Sequence, residues 1–518
     1  MLFLFLLTTA LWISWLIIKQ HYTKWQRLGL ETDDRVIIPF GSLYQVFRKA
    51  KHLGLVIADV YQRSHAPAVG MYMFFKPAIL VRDATLARQI MTADFASFHD
   101  RGVYVDEKYD PLSSHLFNLK GQTWRSLRQK LTPSFSSGKL KAMFETIDEV
   151  ANKLNEYLLA KLDDGDMHTV EVKDLSTTYA IDIIGSVVFG LNIDSFKNPH
   201  NEFRVMSDGL FQNPNANVLH RIRHVMNFIC PTVAGILCRL GVTDPITYAV
   251  RDIVQRTIEF REQHGVMRKD LLQLLIQLKN TGKISDDNDA EVWSVESPAE
   301  NLKSLTIDMI AANLLLFYIA GSETTSATIA FTLYELAMDP EIYEKAQREI
   351  DKCLEEHGLK ARGKLSYEVV QDMKYLDLCI METMRKYPGL PFLNRECTQD
   401  YRLPDSDFTI TKGTAILISL YGIHRDEEYF PNPLDYKPER FDPNSEDCNP
   451  VAYMPFGEGP RHCIAQRMGI LNVKVALAKI LANFHIEPMP RKEVEFKFHT
   501  TPVLIPKDAL RIKLSKRF

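Results

Sequence analysis

One cysteine of the chain stands in a setting that could do chemistry. The residues before it read Phe456-Gly457-Glu458-Gly459-Pro460-Arg461-His462-Cys463, and a stretch with helical spacing follows. The N–H groups and positive potential at the start of a helix favour a thiolate over a thiol. Arg461 adds a cation suited to a carboxylate, and glycines let the backbone approach a large flat group. This combination is typical of a cysteine thiolate that ligates haem iron, with Arg461 binding a propionate.

A lone cysteine is more often a small buried hydrophobe than a ligand. The pattern F-x-x-G-x-R-x-C, however, is expected by chance in on the order of one in a thousand chains of this size. His462 is interpreted as a neighbour of the site, because adjacent residues point in different directions. An odd cysteine count without a C-x-x-C pair argues against a disulfide framework. The other cysteines are Cys230, Cys238, Cys353, Cys379, Cys397 and Cys448.

Two further pairs of polar residues have helical spacing. Glu382 and Arg385 are three residues apart, so they share one face of a helix that ends before Pro388. They form either a buried ion pair or a solvated surface pair. Trp124 and Arg128 are four residues apart, and both carry N–H donors that could reach a haem propionate.

A third group lies within a long run of few charges. The mid-helix glycine of Ala320-Gly321 costs about 1 kcal/mol relative to alanine, which predicts close approach of a ligand or a local opening of the helix. The acid Glu323 and the hydroxyl of Thr324 follow at once, and together they could carry protons to a bound oxygen species. Alternatively, Thr324 bonds only to the carbonyl four residues earlier.

The elements that must position these residues are mostly helical. Apolar side chains recur at helical spacing over 139–162, and the run 304–338 predicts one long helix that crosses the molecule. Asp339 and Pro340 are typical of the N-cap and first turn of a following helix. The polar, acidic stretch 279–301 is expected to be a surface loop.

Strands are predicted in two places. One is residues 74–81, and the other is a hairpin of 408–410 with 415–420, joined across 411–414. Residues 423–450 are rich in proline, aspartate and aromatic residues. Because large apolar residues recur there, this stretch is expected to be an ordered irregular segment.

The first 18 residues contain no charged side chain and would span about 27 Å as a helix. The competing interpretation is a cleaved signal peptide, which normally has a basic start and small residues at its end. Here the basic Lys19, Lys24 and Arg27 follow the apolar run instead. This order predicts an uncleaved anchor with the rest of the chain on the cytoplasmic side, either spanning the bilayer or lying in its interface. The net charge of −3 gives no reason to expect nucleic acid as a partner.

The motifs together resemble the cytochrome P450 family. The turn before Cys463 is similar to its haem-thiolate signature, and further motifs occur in the family's order over essentially the whole chain. These are Trp124 with Arg128, Ala320-Gly321-Ser322-Glu323-Thr324-Thr325, Glu382-Thr383-Met384-Arg385 and Pro438-Glu439-Arg440-Phe441. The stretches 394–398 and 421–426 are most similar to insect microsomal members that oxidise foreign compounds.

The resemblance implies a mainly α fold with a small β-rich lobe, preceded by one N-terminal membrane-anchor helix. It implies haem b with Cys463 as the axial ligand, and it places Arg440 in a buried cluster with Glu382 and Arg385. Glu323 and Thr324 are the implied catalytic residues. The implied propionate partners are Arg461, Trp124, Arg128, Arg395 and Arg101.

Three segments are therefore expected: an anchor over 1–18, a basic stop-transfer and linker over 19–38, and the haem-thiolate monooxygenase domain over 39–518. The resemblance implies the endoplasmic reticulum membrane and insertion of one oxygen atom of O₂ into a small lipophilic substrate, for xenobiotic or insecticide metabolism. The alternatives are oxidation of an endogenous lipid or hormone, a non-catalytic haem sensor or carrier, and an isomerase or peroxygenase.

No G-x-G-x-x-G motif follows a strand, so NADPH is not expected to bind this chain. The resemblance implies NADPH–cytochrome P450 reductase as the electron donor, and cytochrome b5 as a second partner. A basic patch near the helix of Trp124 is interpreted as either a docking surface for the reductase or a plain solvated face. Its members are Lys120, Arg125, Lys130, Lys139 and Lys141.

Overall fold

The structure, a computed structural model, describes eight stretches of the chain. They are residues 1–48, 51–162, 167–211, 218–243, 245–284, 305–404, 406–490 and 496–518. Most of the acidic stretch predicted as a surface loop, residues 285–301, lies outside them. All seven cysteines lie within them, and all seven are free, as expected.

Helices make up most of the fold, as the sequence predicts. Those before the long central helix are α1 (Leu2–Tyr22), α2 (Lys24–Arg27), α3 (Tyr44–Arg48), α4 (Leu53–Arg63), α5 (Ala84–Met91), α6 (Gly121–Leu131), α7 (Ser137–Lys161), α8 (Val172–Ile183), α9 (Glu202–Phe211), α10 (Val218–Ile229), α11 (Pro231–Arg239), α12 (Pro245–His264) and α13 (Leu271–Thr281). The others are α14 (Ile307–Met338), α15 (Pro340–Glu356), α16 (Tyr367–Asp372), α17 (Lys374–Lys386), α18 (Leu420–Ile423) and α19 (Gln466–Asn483).

Nine short strands form three small sheets in the described residues. The strands are β1 (Ala68–Met73), β2 (Lys76–Val81), β3 (His168–Glu171), β4 (Leu393–Glu396), β5 (Tyr401–Arg402), β6 (Thr409–Ile410), β7 (Ala415–Ile418), β8 (Phe484–Pro488) and β9 (Arg511–Lys516). The largest sheet has the order β1-β2-β7-β4, with β2 and β7 parallel and the other pairs antiparallel. The other two have the orders β3-β9-β8 and β5-β6.

The predicted hairpin of 408–410 with 415–420 is wrong. β6 pairs with β5, whereas β7 lies between β2 and β4, so the two segments belong to different sheets. All four side chains of β7 are buried, which requires neighbours on both sides. The prediction for 74–81 is correct from Lys76 onward, and Phe74 stands in the preceding turn with a positive φ of 55°.

The long helix α14 crosses the main apolar core, and most of its side chains are buried. Asp339 caps the next helix, as predicted, by accepting bonds from the N–H groups of Glu341 and Ile342. The structure explains the glycine at position 321 by helix packing rather than by the predicted approach of a ligand or opening of the helix. A Cβ there would lie 2.5 Å from Cδ1 of Ile184, so the glycine permits close packing of a neighbouring π-helical turn.

The N-terminal helix α1 is followed by residues that pack on the body. Its apolar side chains are largely exposed, and α1 is one of two helices in the described chain long and apolar enough to cross a membrane. The other is α14, which is mostly buried. Trp25 is 1% exposed and donates from Nε1 to the carbonyl of Met71 at 3.1 Å. Part of the expected linker 19–38 therefore packs against the folded domain, because Trp25 fills the space left by the missing side chain of Gly70.

Candidate active site

A deep cavity lies between the helical core around α14 and the four-stranded sheet. Its walls come from the loops before α6 and α19, from α6 and α14, and from β4. Among the described residues, Cys463 is the only cysteine that lines it. Thr324 lines the same cavity. So do all the predicted cofactor-binding residues, which are Cys463, Arg461, Trp124, Arg128, Arg395 and Arg101.

A tight turn holds Cys463 at the cavity wall. Its N–H donates to the carbonyl of Phe456 at 2.9 Å, and α19 begins three residues later. Gly459 has a φ of +70°, and a Cβ there would lie 1.8 Å from the carbonyl oxygen of Met91, so only glycine fits. The turn thereby presents the sulfur to the cavity, as the motif predicts.

The predicted preference for a thiolate does not come from the protein alone. Burial raises the pKa of the Cys463 thiol. A hydrogen bond from the Ala465 N–H and the charges of Arg128 and Arg101 lower this pKa, but their effect is smaller than that of burial. A metal ion deprotonates a coordinating thiol outright, so iron, when bound, would supply the preference for the thiolate that the turn alone does not.

Four guanidinium groups meet on one side of the cavity, those of Arg101, Arg128, Arg395 and Arg461. Burial lowers the pKa of Arg461 to about 9 and that of Arg395 to about 10. For Arg461, the nearby charges of Arg395 and Arg128 act in the same direction, and Asp100 opposes them. No Asp or Glu is among the described residues that line the cavity, so this excess of positive charge is suited to an anionic ligand.

Two of these cations keep unused donors. Nε of Arg101 and Nε of Arg395 are buried and have no hydrogen-bond partner. Arg395 donates from one terminal nitrogen to the carbonyl of Asn394, and Arg101 stacks over Phe117 with its guanidinium carbon 4.0 Å from the ring centre. A buried donor without an acceptor is costly, which again indicates a missing acceptor in the cavity.

Arg461 is largely used by the protein itself. It donates to the carbonyls of His99, Phe117 and Leu119 at 2.6, 3.2 and 2.7 Å, and it lies 3.5 Å from a carboxylate oxygen of Asp100. Its guanidinium carbon also lies 4.2 Å from the ring centre of Trp124. Arg461 therefore fixes the loop before α6 to the cysteine turn, besides adding positive charge to the cavity.

Arg128 and His462 join α6 to the same turn. Arg128 donates to the carbonyl of His462 at 2.9 Å, and its other terminal nitrogen lies 3.4 Å from Nε2 of His462. Because Nδ1 of that imidazole donates to the carbonyl of Gly459, Nε2 is the acceptor nitrogen. His462 thus supports the turn, in agreement with its interpretation as a neighbour of the ligand.

The residues of the cavity fit haem b. A cysteine sulfur faces the interior, unpaired cationic donors match two propionates, and the remaining wall is mostly apolar. The apolar part includes Leu116, Phe117, Leu316, Phe317 and Leu390.

The structure separates Thr324 from Glu323. Thr324 lines the cavity, and its hydroxyl donates to the carbonyl of Ala320 at 2.6 Å. Glu323 does not line the cavity. Its carboxylate is almost fully buried and accepts a bond from Nζ of Lys173 in α8 at 2.9 Å. Consecutive residues of a helix point about 100° apart, and here Thr324 faces the cavity whereas Glu323 points toward α8.

The expected cluster of Glu382, Arg385 and Arg440 is buried. Arg385 donates to Glu382 at 2.7 and 2.9 Å, and Arg440 donates to the same carboxylate at 3.1 Å. None of the three side chains has measurable exposure. Arg440 also donates to the carbonyl of Pro431, so the cluster ties α17 to the irregular segment 423–450.

Sequence reasoning missed His424, which continues this network toward the cysteine turn. Its carbonyl accepts a bond from Arg385 at 2.7 Å, and its Nε2 accepts one from the N–H of Met454 at 3.2 Å. Met454 in turn accepts a bond from the N–H of Gly457 at 2.9 Å. The only signal in the sequence is a histidine beside arginine and aspartate in the stretch 421–426, which marks no role by itself.

Comparison with known proteins agrees with this site. The sequence model described as "Cytochrome P450" matches residues 35–514. Cytochrome P450 6d1 of Musca domestica is 66% identical over 500 residues, which cover 96% of this chain and 97% of the relative. Cytochrome P450 6d3 of Musca domestica is 64% identical over 515 residues, 99% of each chain. Probable cytochrome P450 6d2 of Drosophila melanogaster is 58% identical over 500 residues, 96% of each.

These relatives are insect proteins, as the similarity to insect members implies, and each is matched over nearly its whole length. Proteins of the family carry haem b with a cysteine as axial ligand and act as monooxygenases. The chain belongs to the cytochrome P450 family and is a haem-thiolate monooxygenase.

Proposed function

We propose that the protein is a membrane-anchored enzyme that inserts one oxygen atom of O₂ into small lipophilic foreign compounds, with NADPH electrons delivered by a separate reductase. The observation that carries this proposal is the cavity itself. It combines one cysteine sulfur, four arginine side chains, the Thr324 hydroxyl on α14 and a mostly apolar wall.

Each side chain has a distinct role in this proposal. Cys463 is the axial ligand, and haem b, when bound, supplies the activation of O₂. Arg101 and Arg395 offer their free donors to the propionates, and Arg128, Arg461 and Trp124 complete that side of the cavity. The four cations hold the cofactor by charge, and the glycine turn holds the sulfur in place.

Thr324 is the proposed proton-handling residue. Its hydroxyl already donates to Ala320 O, so its oxygen remains free to accept a bond from a group in the cavity. The bond to Ala320 O holds the hydroxyl in place, and rotation of the hydroxyl away from that carbonyl would let it donate its proton to a group in the cavity. Glu323 would have to leave Lys173 to take part directly, so the proposal rests on Thr324 and assigns Glu323 to the ion pair.

The character of the wall supports a lipophilic substrate. Apart from the cations on the propionate side, the lining is dominated by leucine, isoleucine, phenylalanine and valine side chains with threonine hydroxyls on α14. Such a wall buries apolar surface and offers few directional bonds, so it selects by shape and hydrophobicity. This is the recognition expected for varied foreign compounds, which share little beyond being apolar.

The exposed helix α1 supports anchoring in the endoplasmic reticulum membrane, with the body in the cytoplasm. Lys139 cannot belong to the proposed docking patch for NADPH–cytochrome P450 reductase, because it is 2% exposed. Lys120, Arg125 and Lys141 are exposed, although Lys141 pairs with Glu368 at 2.5 Å. Lys130 is half-buried, so the surface available to an acidic partner is smaller than expected.

Reconstitution tests the proposed function. Full-length protein in lipid vesicles with NADPH–cytochrome P450 reductase should convert members of a panel of lipophilic insecticides to products with one added oxygen atom. With ¹⁸O₂, the label should enter the product, and omission of NADPH or reductase should abolish it. Ligand-induced spectral shifts without any product would favour a sensor or carrier. Product formed without NADPH would favour an isomerase or peroxygenase.

A further inference from the structure

We propose that a pocket beside the end of α1 binds the headgroup of an anionic phospholipid. This inference rests on the proposed anchoring of α1 in a membrane and adds a specific lipid site to it. The pocket lies between residues 33–48 and helix α4, and it is separate from the haem cavity.

An apolar collar surrounds the point where α1 leaves the body. We define the collar as Ile37, Ile38, Phe47 and Phe75, whose side chains are 43–56% exposed. The end of α1 is bonded to the same region, because the hydroxyl of Tyr22 lies within hydrogen-bond distance of the carbonyls of Pro39 and Phe74 at 3.0 and 3.2 Å. When α1 is inserted in a bilayer, the collar must therefore lie at the bilayer surface.

The pocket opens directly next to this collar. Ile37 belongs to both, and Tyr44, which lines the pocket, has its ring centre 5.9 Å from that of Phe40, which in turn lies 5.5 Å from that of Phe47. The pocket is therefore at the depth of lipid headgroups. Its polar lining consists of Arg35, Ser42, Tyr44, Gln45, Arg48, Asp59 and Arg63.

The charges in the pocket favour an anion. Asp59 is already paired with Lys51 at 2.6 Å, and Arg63 is paired with Asp33 and Asp34. In the stretches that the structure describes, Arg35 and Arg48 form no ion pair. Two free guanidinium groups on one small pocket are suited to the phosphate of a lipid headgroup, which accepts several N–H donors at once.

A lipid is favoured over a soluble phosphate compound because of where the pocket lies. Each cation held near an anionic membrane surface strengthens binding by about fivefold, and the collar keeps this pocket at that surface. Arg48 also lies over the ring of Tyr44, with its guanidinium carbon 5.7 Å from the ring centre. Both residues line the pocket on the side that adjoins the collar.

The experiment uses the full-length holoenzyme in phosphatidylcholine vesicles that contain a small fraction of spin-labelled phosphatidylserine or spin-labelled phosphatidylcholine. The motionally restricted fraction of each label reports how strongly each lipid associates with the protein. Wild type should select phosphatidylserine severalfold. The double variant Arg35→Gln/Arg48→Gln should lose most of this selectivity.

The matched control is Lys19→Gln/Arg27→Gln, which removes the same number of charges just beyond the apolar part of α1. It should retain most of the selectivity. Equal loss in the two double variants would overturn the proposal, because it would show general attraction of basic residues to anionic lipid. The absence of phosphatidylserine selectivity in wild type would overturn the proposal as well.

Flotation with pure phosphatidylcholine vesicles separates this inference from the proposed anchoring. If wild type floats without showing phosphatidylserine selectivity, the anchor is correct and the lipid site is wrong. If wild type does not float, the proposed anchoring of α1 in a membrane is wrong. Retention of the spectrum of the reduced CO complex in both double variants shows that they remain folded.

Discussion

Nζ of Lys173 lies 2.9 Å from Oε2 of Glu323, across the contact between α8 and α14. The same ammonium donates to the hydroxyls of Thr177 and Ser326 at 2.7 and 3.0 Å. The carboxylate is 2% exposed and the Lys173 side chain is 12% exposed. The pair therefore joins the two helices in the protein interior, and each charge depends on the other.

Glu323→Gln should destabilise the protein, because it leaves the Lys173 ammonium buried without its partner. The expected loss in free energy of unfolding is about 3–5 kcal/mol. The double variant Glu323→Gln/Lys173→Met should recover part of this loss. Urea unfolding followed by tryptophan fluorescence measures both. A Glu323→Gln protein as stable as wild type, with turnover lowered by about 10² or more, would instead indicate a direct role in proton transfer.

Thr324→Ala should keep the haem and the spectral response to substrate, because only one small polar group is lost. NADPH consumption should continue while product per NADPH falls and hydrogen peroxide rises. Thr324→Ser, which keeps the hydroxyl, is the control and should stay near wild type. Parallel measurement of NADPH, product and peroxide decides the matter. An unchanged ratio in Thr324→Ala would mean that the hydroxyl only bonds to Ala320.

Cys463→Ala should abolish the thiolate spectrum of the reduced CO complex. The reason is that Cys463 is the only one of the seven cysteines that lines the cavity. Cys448→Ala, at a half-buried cysteine outside the cavity, should leave the spectrum unchanged. A normal spectrum in purified Cys463→Ala would rule out this residue as the ligand.

Glu382→Ala should give little haem-containing protein, because two buried guanidinium groups lose their shared carboxylate. A cost of about 3–5 kcal/mol is expected for breaking a buried pair, which is a large share of typical stability. The control is Glu439→Ala, whose ion pair with Lys345 is partly exposed and should be worth at most about 1 kcal/mol. Haem per protein after purification is the measurement. Normal haem content in Glu382→Ala would contradict a stabilising role for the cluster.

His424 should make stability depend on pH. Burial lowers the pKa of His424 to about 3, and the charge of Arg385 acts in the same direction. An unfolded histidine has a pKa of about 6.5, so below that pH the unfolded chain binds a proton that the folded protein does not. Stability therefore falls as the pH drops, by roughly 2 kcal/mol at pH 5 from this residue.

His424→Gln should reduce the loss of stability between pH 7 and pH 5 by roughly that amount. Glutamine still offers an acceptor for the N–H of Met454, so the variant should fold. His200→Gln, at an exposed position, is the control. If His424→Gln and wild type lose equal stability between the two pH values, this histidine is not held neutral by the fold.

Several features could be predicted from the sequence because they depend on contacts between near neighbours. The cap of Asp339 on α15 reaches only three residues ahead. The turn before Cys463 needs glycines at set positions, and those positions are readable directly. Trp124 and Arg128 share a helix face because they are four residues apart, and Glu382 and Arg385 do so because they are three apart. Local geometry, not packing, decides such relationships.

Other features were decided only by the tertiary structure. β7 turned out to pair with β2 and β4 rather than with its neighbour in sequence. Gly321 faces Ile184, and Trp25 fills the space over Gly70. Lys173 and Glu323 are 150 residues apart, and no spacing rule connects them. In each case the partner comes from a distant part of the chain, and which distant surfaces meet is determined by packing of the whole core, which local sequence patterns do not encode.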